Sequence, residues 1–287
     1  MLTLEVRKGE GMLEAINNKE LKLIEILSIA MNLFIRKFRM VMVVVAFLFF
    51  PISILNAMIM ERVNDSAQLL MSLNEAGVIL ENMPAHMELL LKSFENDMLL
   101  MAVFLFLEPV GIISIAKIAK KSICNETIQI HEVIGDAMNC LWNVIITGVP
   151  YLILVFVAGM LFIIPGIYLV IVWTFYVYAI GLRQIKGWKA LEYSKGLVKG
   201  NFWKTLLILT ATLLITLGWN WIFGTVYLFL PQHIGTEILY YTLTYIDGSF
   251  AFIVITVLFM NREAILLGVK HGVTENVIEN ALDVKDK

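Results

Sequence analysis

The sequence predicts an all-α polytopic membrane protein, with six transmembrane helices arranged as three hairpins and amphipathic cytoplasmic helices lying at the interface between them. Two observations predict it. The first is six apolar stretches, at about Met40–Met60, Met98–Ala116, Leu141–Ile163, Gly166–Leu182, Leu206–Leu230 and Ile238–Met260. Each approaches the roughly 20 residues a helix needs to cross the hydrocarbon core. The second is charge asymmetry: of the 22 Lys and Arg, only Arg62 and Lys92 fall outside one alternating set of gaps between those stretches. An excess of basic residues marks the cytoplasmic side, so both termini are expected inside, in a cell (inner) membrane. A mean hydropathy of +0.81 with 16% charged residues agrees, because soluble domains carry about 25%.

The elements follow in order. Residues 1–39 form a cytoplasmic segment in which Glu25, Ser28, Asn32, Arg36 and Arg39 make a polar stripe at helical spacing. Such a helix is expected to lie in the headgroup plane with its apolar side down. Residues 40–260 form the membrane domain. Its outer loop, 61–97, holds seven acids against two bases, and Leu69, Leu70, Leu73, Gly77, Leu80 and Met83 recur at helical spacing up to Pro84. A second set follows at Met87, Leu90, Leu91 and Phe94, so the loop reads as a helix-turn-helix cap on the outer surface. After span two, Asn125, Gln129, Glu132, Asp136 and Asn143 form a second polar stripe. No formal charge lies between Asp136 and Arg183, so that stretch crosses twice, and its strong breaker Pro165-Gly166 predicts a tight outer turn. Proline would fix one dihedral there and glycine would accept positive φ. A third stripe, Lys189, Glu192, Lys195 and Lys199, precedes span five, and 261–287 forms a cytoplasmic tail. No cleavable signal peptide is expected, and Cys124 and Cys140 fall at the inner face, where thiols stay reduced.

The three units repeat weakly. Aligning the third on the first places Leu191 on Leu27, Ser194 on Ala30, Leu197 on Leu33 and Phe202 on Phe38. Units of parallel orientation argue against a transporter built on inverted repeats. Two strings carry a family resemblance: Ile164-Pro165-Gly166-Ile167-Tyr168, and the segment from Ala190 to Lys204 containing Ser194, Leu197-Val198-Lys199-Gly200-Asn201 and Phe202-Trp203. Together they resemble the membrane domain found beside bacterial glycerophosphoryl diester phosphodiesterases and in related uncharacterised six-span proteins. The resemblance is close over 160–205 and loose over 20–265. It implies fold and topology, with Pro165, Gly166, Ser194, Gly200 and Asn201 as motif positions. It implies little chemistry, since the family's known activity belongs to a separate phosphodiesterase domain.

Candidate polar sites are few. Glu108 falls near the middle of span two, before Pro109, with no Lys or Arg inside any span to pair with it. Intramembrane acids are costly and face the bundle interior or water, so Glu108 reads either as a proton or cation site or as a neutral group bonded to a Thr, Tyr or Asn nearby. Pro109 would also free the carbonyl of Leu105. Asp247, before Gly248, is the second intramembrane acid, reading as a site residue or as one that reaches interfacial water. With Thr210, Thr212, Thr216 and Asn220 of span five, the two acids are candidates to line one polar cavity.

Enzyme motifs fail one by one. His131-Glu132 opens like HExxH, but residue 135 is Gly, and there is no Walker loop, nucleotide-binding glycine triplet or GxSxG. The expectation is no enzyme, no cofactor, no metal and no nucleic-acid partner. Membrane lipids are the expected partners, with a protein partner or a second copy also open. The leading role is a scaffold or accessory subunit of a transport, lipid or envelope process. A small transporter using Glu108, with or without Asp247, comes second. Immunity or export against a membrane-active peptide, suggested by the acidic outer loop, comes third.

Overall fold

The computed structural model describes residues 12–17, 19–75, 107–231 and 233–283, with short helical pieces between 87 and 99. Among these residues every regular element is helical. Five stretches are long and apolar enough to cross a membrane: Phe38–Asp65, Ile130–Leu161, Ile163–Arg183, Phe202–Leu228 and Ile234–Gly268. Of the expected second span, Met98–Ala116, residues 100–106 lie outside the described residues, and its described helix resumes at Glu108. The outer loop from 76 to 86, including Gly77, Leu80, Met83 and Pro84, lies outside them as well.

The chain enters through α1 (Leu23–Arg36) and α2 (Phe38–Val44), then a π-helical turn, Val45–Phe49, and α3 (Phe50–Glu75). The π turn has a local cause. Pro51 brings no backbone N–H and crowds the carbonyl four residues before it. The ladder widens just upstream, so that the Phe50 N–H bonds Val45 O, and the Ser53 hydroxyl donates to Phe49 O at 2.8 Å. α3 then continues past the expected edge at Met60, so Leu69 to Leu73 prolong the first span's helix and do not open a separate cap.

α4 (Glu108–Ile123) and α5 (Ile130–Leu161) follow; Glu132, Asp136 and Asn143 of the second stripe lie on α5, which runs on into the span, while Asn125, at φ 55°, and Gln129 precede it. The outer turn is not at Pro165-Gly166. The chain reverses at Phe162, whose φ of −155° and ψ of 131° are extended, and α6 (Ile163–Val172) begins at once. Pro165 therefore sits in the first turn of α6, where backbone N–H groups have no helical partner to lose. Gly166 keeps an ordinary φ. Its use is close approach, since a Cβ there would stand 2.8 Å from the Gly159 backbone of α5.

The expected fourth span is discontinuous, with α6 ending at Val172 and α7 (Tyr176–Arg183) beginning after a break. The third amphipathic segment, α8 (Trp188–Val198), fills that break. Its Ser194 side chain, fully buried, accepts the Phe175 N–H at 3.0 Å and donates to Val172 O at 2.8 Å. The expected placement of these helices flat on lipid is thus corrected. α8 buries Ala190, Leu191, Ser194, Leu197 and Val198 in the bundle, and α1 buries Ile26, Ala30 and Leu33. Ala30 and Ser194, matched in the repeat, are both fully buried, as are Leu33 and Leu197 nearly so. Gly200, at φ +82°, ends α8 in the left-handed region where a side chain is strained, and Asn201 leads into α9 (Phe202–Leu228).

The last helix, α10 (Ile234–Asp283), is the centre of the bundle. It packs on α1, α3, α4, α8 and α9, and Val254, Val257 and Leu258 are wholly buried. α9, by contrast, buries only 11% of its most apolar stretch, leaving Leu207, Leu213, Leu214, Leu217 and Leu228 facing outward.

Candidate functional site

Glu108 opens α4, with Pro109 in the same turn, so Pro109 begins the described helix and does not interrupt one. An acid in a first helical turn is favoured by the helix dipole. Leu105, whose carbonyl Pro109 was expected to free, lies outside the described residues. One turn on, Gly111 brings α4 hard against Phe49, and a Cβ there would overlap the ring. Phe49 stacks on Tyr245 of α10, with ring centroids 4.7 Å apart. The Tyr245 hydroxyl accepts a hydrogen bond from Asn56 Nδ2 at 3.0 Å, and the Glu108 carboxyl lies within electrostatic reach of it. Accepting from Asn56 leaves Tyr245 its own proton to donate. Asn56 is buried, and its Oδ1 has no partner among the described residues. The result is a bonded Tyr245–Asn56 pair with Glu108 within electrostatic reach, on three packed helices beside the π turn.

Asp247 does not join it. Two residues past Tyr245 is about 200° round the helix, so the two side chains leave α10 on different faces. Nor does Asp247 reach interfacial water: it is buried, and its Oδ2 lacks a partner among the described residues. The span-five hydroxyls do not form a shared cavity with the acids either. Thr212 bonds Ile208 O, Thr216 bonds Leu213 O, and Asn220 Nδ2 bonds Thr216 O, each on its own helix. Asn220 instead lines a separate cavity of about 520 Å³ between α3, α9 and α10, with Glu237, Tyr227, Tyr240 and Tyr241. Among the motif positions, Gly166, Ser194 and Gly200 have the structural uses given above, Pro165 starts a helix, and Asn201 precedes α9 with no side-chain cap. No group of three or more His, Cys, Asp or Glu able to hold a metal ion occurs among the described residues.

The largest polar assembly was not visible in the sequence. Asn261, Arg262 and Glu263, consecutive on α10, are all nearly fully buried. Asn261 Nδ2 donates to Ile16 O and Lys19 O at 2.8 Å each, and its Oδ1 accepts the Leu21 N–H at 3.2 Å. Arg262 bonds Glu20, which also pairs with Lys204 at 2.9 Å. Glu263 receives both Nε and an Nη of Arg183 and the Tyr193 hydroxyl. Burial, then the bond to Glu263, pushes the Tyr193 hydroxyl up from its usual range and keeps it a donor. Lys120 Nζ donates to Leu182 O at 3.2 Å and so caps α7, with burial and then Arg183 pulling its ammonium below the usual range. One clamp thus joins the N-terminal segment, α7, α8 and α9 to the central helix. The residues that carry it look, in sequence, like the basic flank of a last span. The only signal was that no breaker separates Met260 from Glu263.

Family models, curated proteins and solved structures were compared with the chain, and none matches.

Proposed function

We propose that this chain is a non-enzymatic, six-span membrane protein with both termini in the cytoplasm, acting as a rigid scaffold or accessory subunit for a transport, lipid or envelope process. The clamp carries the reading. It supports six spans by parity, because Glu20 is tied through Arg262, Glu263 and Arg183 to the Leu182–Lys120 contact, so the chain is back at its starting end by Lys120. One crossing at Phe38–Asp65 then calls for a return crossing before that point, for which the apolar stretch Met98–Ala116 is the candidate. The basic residues gathered at this end make it the cytoplasmic end. The same ties hold interfacial and spanning helices as one body, while the uncovered apolar side of α9 is left for lipid, a partner subunit or a second copy. The resemblance of the 160–205 segment to the phosphodiesterase-associated membrane domain fits a supporting role.

A transporter reading has one observation in its favour, Glu108 within reach of the Tyr245–Asn56 pair beside a π turn, a distortion frequent at functional sites. Proton flux into proteoliposomes under an imposed potential separates the two. The scaffold reading expects no flux that depends on Glu108. It also expects Glu108→Gln to be nearly silent in stability and Glu108→Leu to cost no more than about 0.6–2 kcal/mol, as for an interhelical hydrogen bond. A flux that Glu108→Gln abolishes in a normally inserted protein would replace the scaffold with the transporter.

A further inference from the structure

The cavity between α3, α9 and α10 lies at the end of the bundle opposite the clamp, and the scaffold reading gives it no use. Among the described residues its lining contains one formal charge, Glu237 in the first turn of α10, and no Lys or Arg. The Tyr227 hydroxyl bonds Glu237, whereas Glu237 Oε2 is buried and has no hydrogen-bond donor among the described residues. The charge that acts on Glu237 is another carboxylate, Glu61. Three tyrosine rings line the same cavity: Tyr227 and Tyr240 have centroids 5.3 Å apart, and Tyr240 and Tyr241 5.6 Å.

We propose that this cavity binds an alkylammonium cation, with the charge set against Glu237 and the alkyl groups against Tyr227, Tyr240 and Tyr241. A partly buried carboxylate is costly until a positive charge is set against it, which a quaternary ammonium supplies without a hydrogen bond. Aromatic rings hold weakly hydrated organic cations through their quadrupoles, and cages of such rings recognise quaternary ammonium groups. A divalent metal ion is a poor fit, because it asks for six or more oxygen ligands and the lining offers one carboxylate among rings. The volume of about 520 Å³ lies within the range of small-molecule sites. Anchoring at the membrane surface does not account for these tyrosines. Trp219 and Trp221, largely exposed, fill that role, whereas Tyr227, Tyr240 and Tyr241 are half-buried. The cavity also meets the outward-facing Trp221 and Leu228, so the ammonium has two possible sources, a free amine from the outer solution or the headgroup of an outer-leaflet lipid.

The test is equilibrium binding of choline to the full-length protein in neutral detergent, against 3,3-dimethyl-1-butanol as the uncharged isostere. Choline binding should saturate, and the alcohol should bind about tenfold or more weakly, the size of an exposed-to-buried cation–π and charge term. Glu237→Gln should weaken choline about tenfold with its thermal unfolding unchanged, while Tyr240→Phe, which keeps the ring, should stay within about twofold. Nanodiscs separate the sources. If a lipid headgroup is the natural occupant, phosphatidylcholine in a phosphatidylglycerol disc suppresses soluble choline binding; if a free amine is, it does not. Absence of saturable choline binding, equal binding of the neutral alcohol, or full affinity in a folded Glu237→Gln protein would each overturn the proposal. Should Glu237→Gln fail to fold, the choline–alcohol comparison on the unsubstituted protein decides alone.

Discussion

Replacing Ser194 by alanine removes one oxygen atom from a position with no solvent access, and that atom serves both sides of the break in the expected fourth span. Its loss leaves the Phe175 N–H and the Val172 carbonyl without their bonds at 3.0 and 2.8 Å. A buried donor left unpaired costs about 1–3 kcal/mol in soluble proteins. Interhelical hydrogen bonds in membranes average lower, about 0.6 and up to 2 kcal/mol, because the separated helices find other partners. We therefore expect Ser194→Ala to lose roughly 1–2 kcal/mol, a fall of about 2–8 °C in midpoint for a chain of this size. Thermal unfolding in a nonionic detergent, followed by tryptophan fluorescence, suits the site, since Trp173 sits beside the break with its ring 6.2 Å from that of Trp188 on α8. Ser28→Ala, on the exposed side of α1, is the control and should be nearly silent. A Ser194→Ala protein as stable as the Ser28→Ala control would refute the assignment of Ser194 as the bridge across the break.

Three other outcomes are expected. Gly111→Ala should destabilise by about 1–3 kcal/mol through overpacking against Phe49, and adding Phe49→Leu should recover part of that loss, which denaturant midpoints of the single and double variants will read. Glu263→Gln should cost about 1.5–3 kcal/mol, the range for hydrogen bonds to charged groups, and should bring α7 and α8 into faster hydrogen exchange while α4 changes little. Hydrogen bonds from Lys204 and then Arg262 hold the Glu20 carboxyl below its usual 4.5. A lowered folded value means the stabilisation is complete above the unfolded value and is lost as pH falls through the folded one, so the stability gap between wild type and Glu20→Gln should be constant near neutrality and close below about pH 4.5.

Hydropathy and charge made the membrane-spanning helices legible, because both depend on the solvent and hardly at all on tertiary packing. Helix ends were less so. The reversal at Phe162 carries no breaker residue, whereas Pro165, which resembles one, is harmless in a first helical turn. The break at Trp173–Phe175 was hidden for a related reason: the residue that bridges it, Ser194, comes about twenty residues later and acts through space. Glu108 was found because an acid in an apolar run stands out, but its neighbours Tyr245 and Asn56 are ordinary residues brought near by packing. Pairing Glu108 with Asp247 failed because helical phase turns Asp247 away from Tyr245. The clamp stayed invisible because charges just outside a span look alike whether they face water or, as Glu263 does, the interior. The cavity between α3, α9 and α10 was approached only through Asn220, because its acid, Glu237, stands just before the expected last span.

The central claim is six crossings, with the clamped basic end inside and the Glu237 end outside. Single cysteines at Lys19, Lys195 and His233, in a background lacking Cys124 and Cys140, test it with a membrane-impermeant thiol reagent on intact cells. The account predicts that only the residue-233 probe is labelled, with the other two reacting after the membrane is opened. Labelling of the residue-195 probe in intact cells, with the residue-19 probe protected, would mean an odd number of crossings between them and would contradict it.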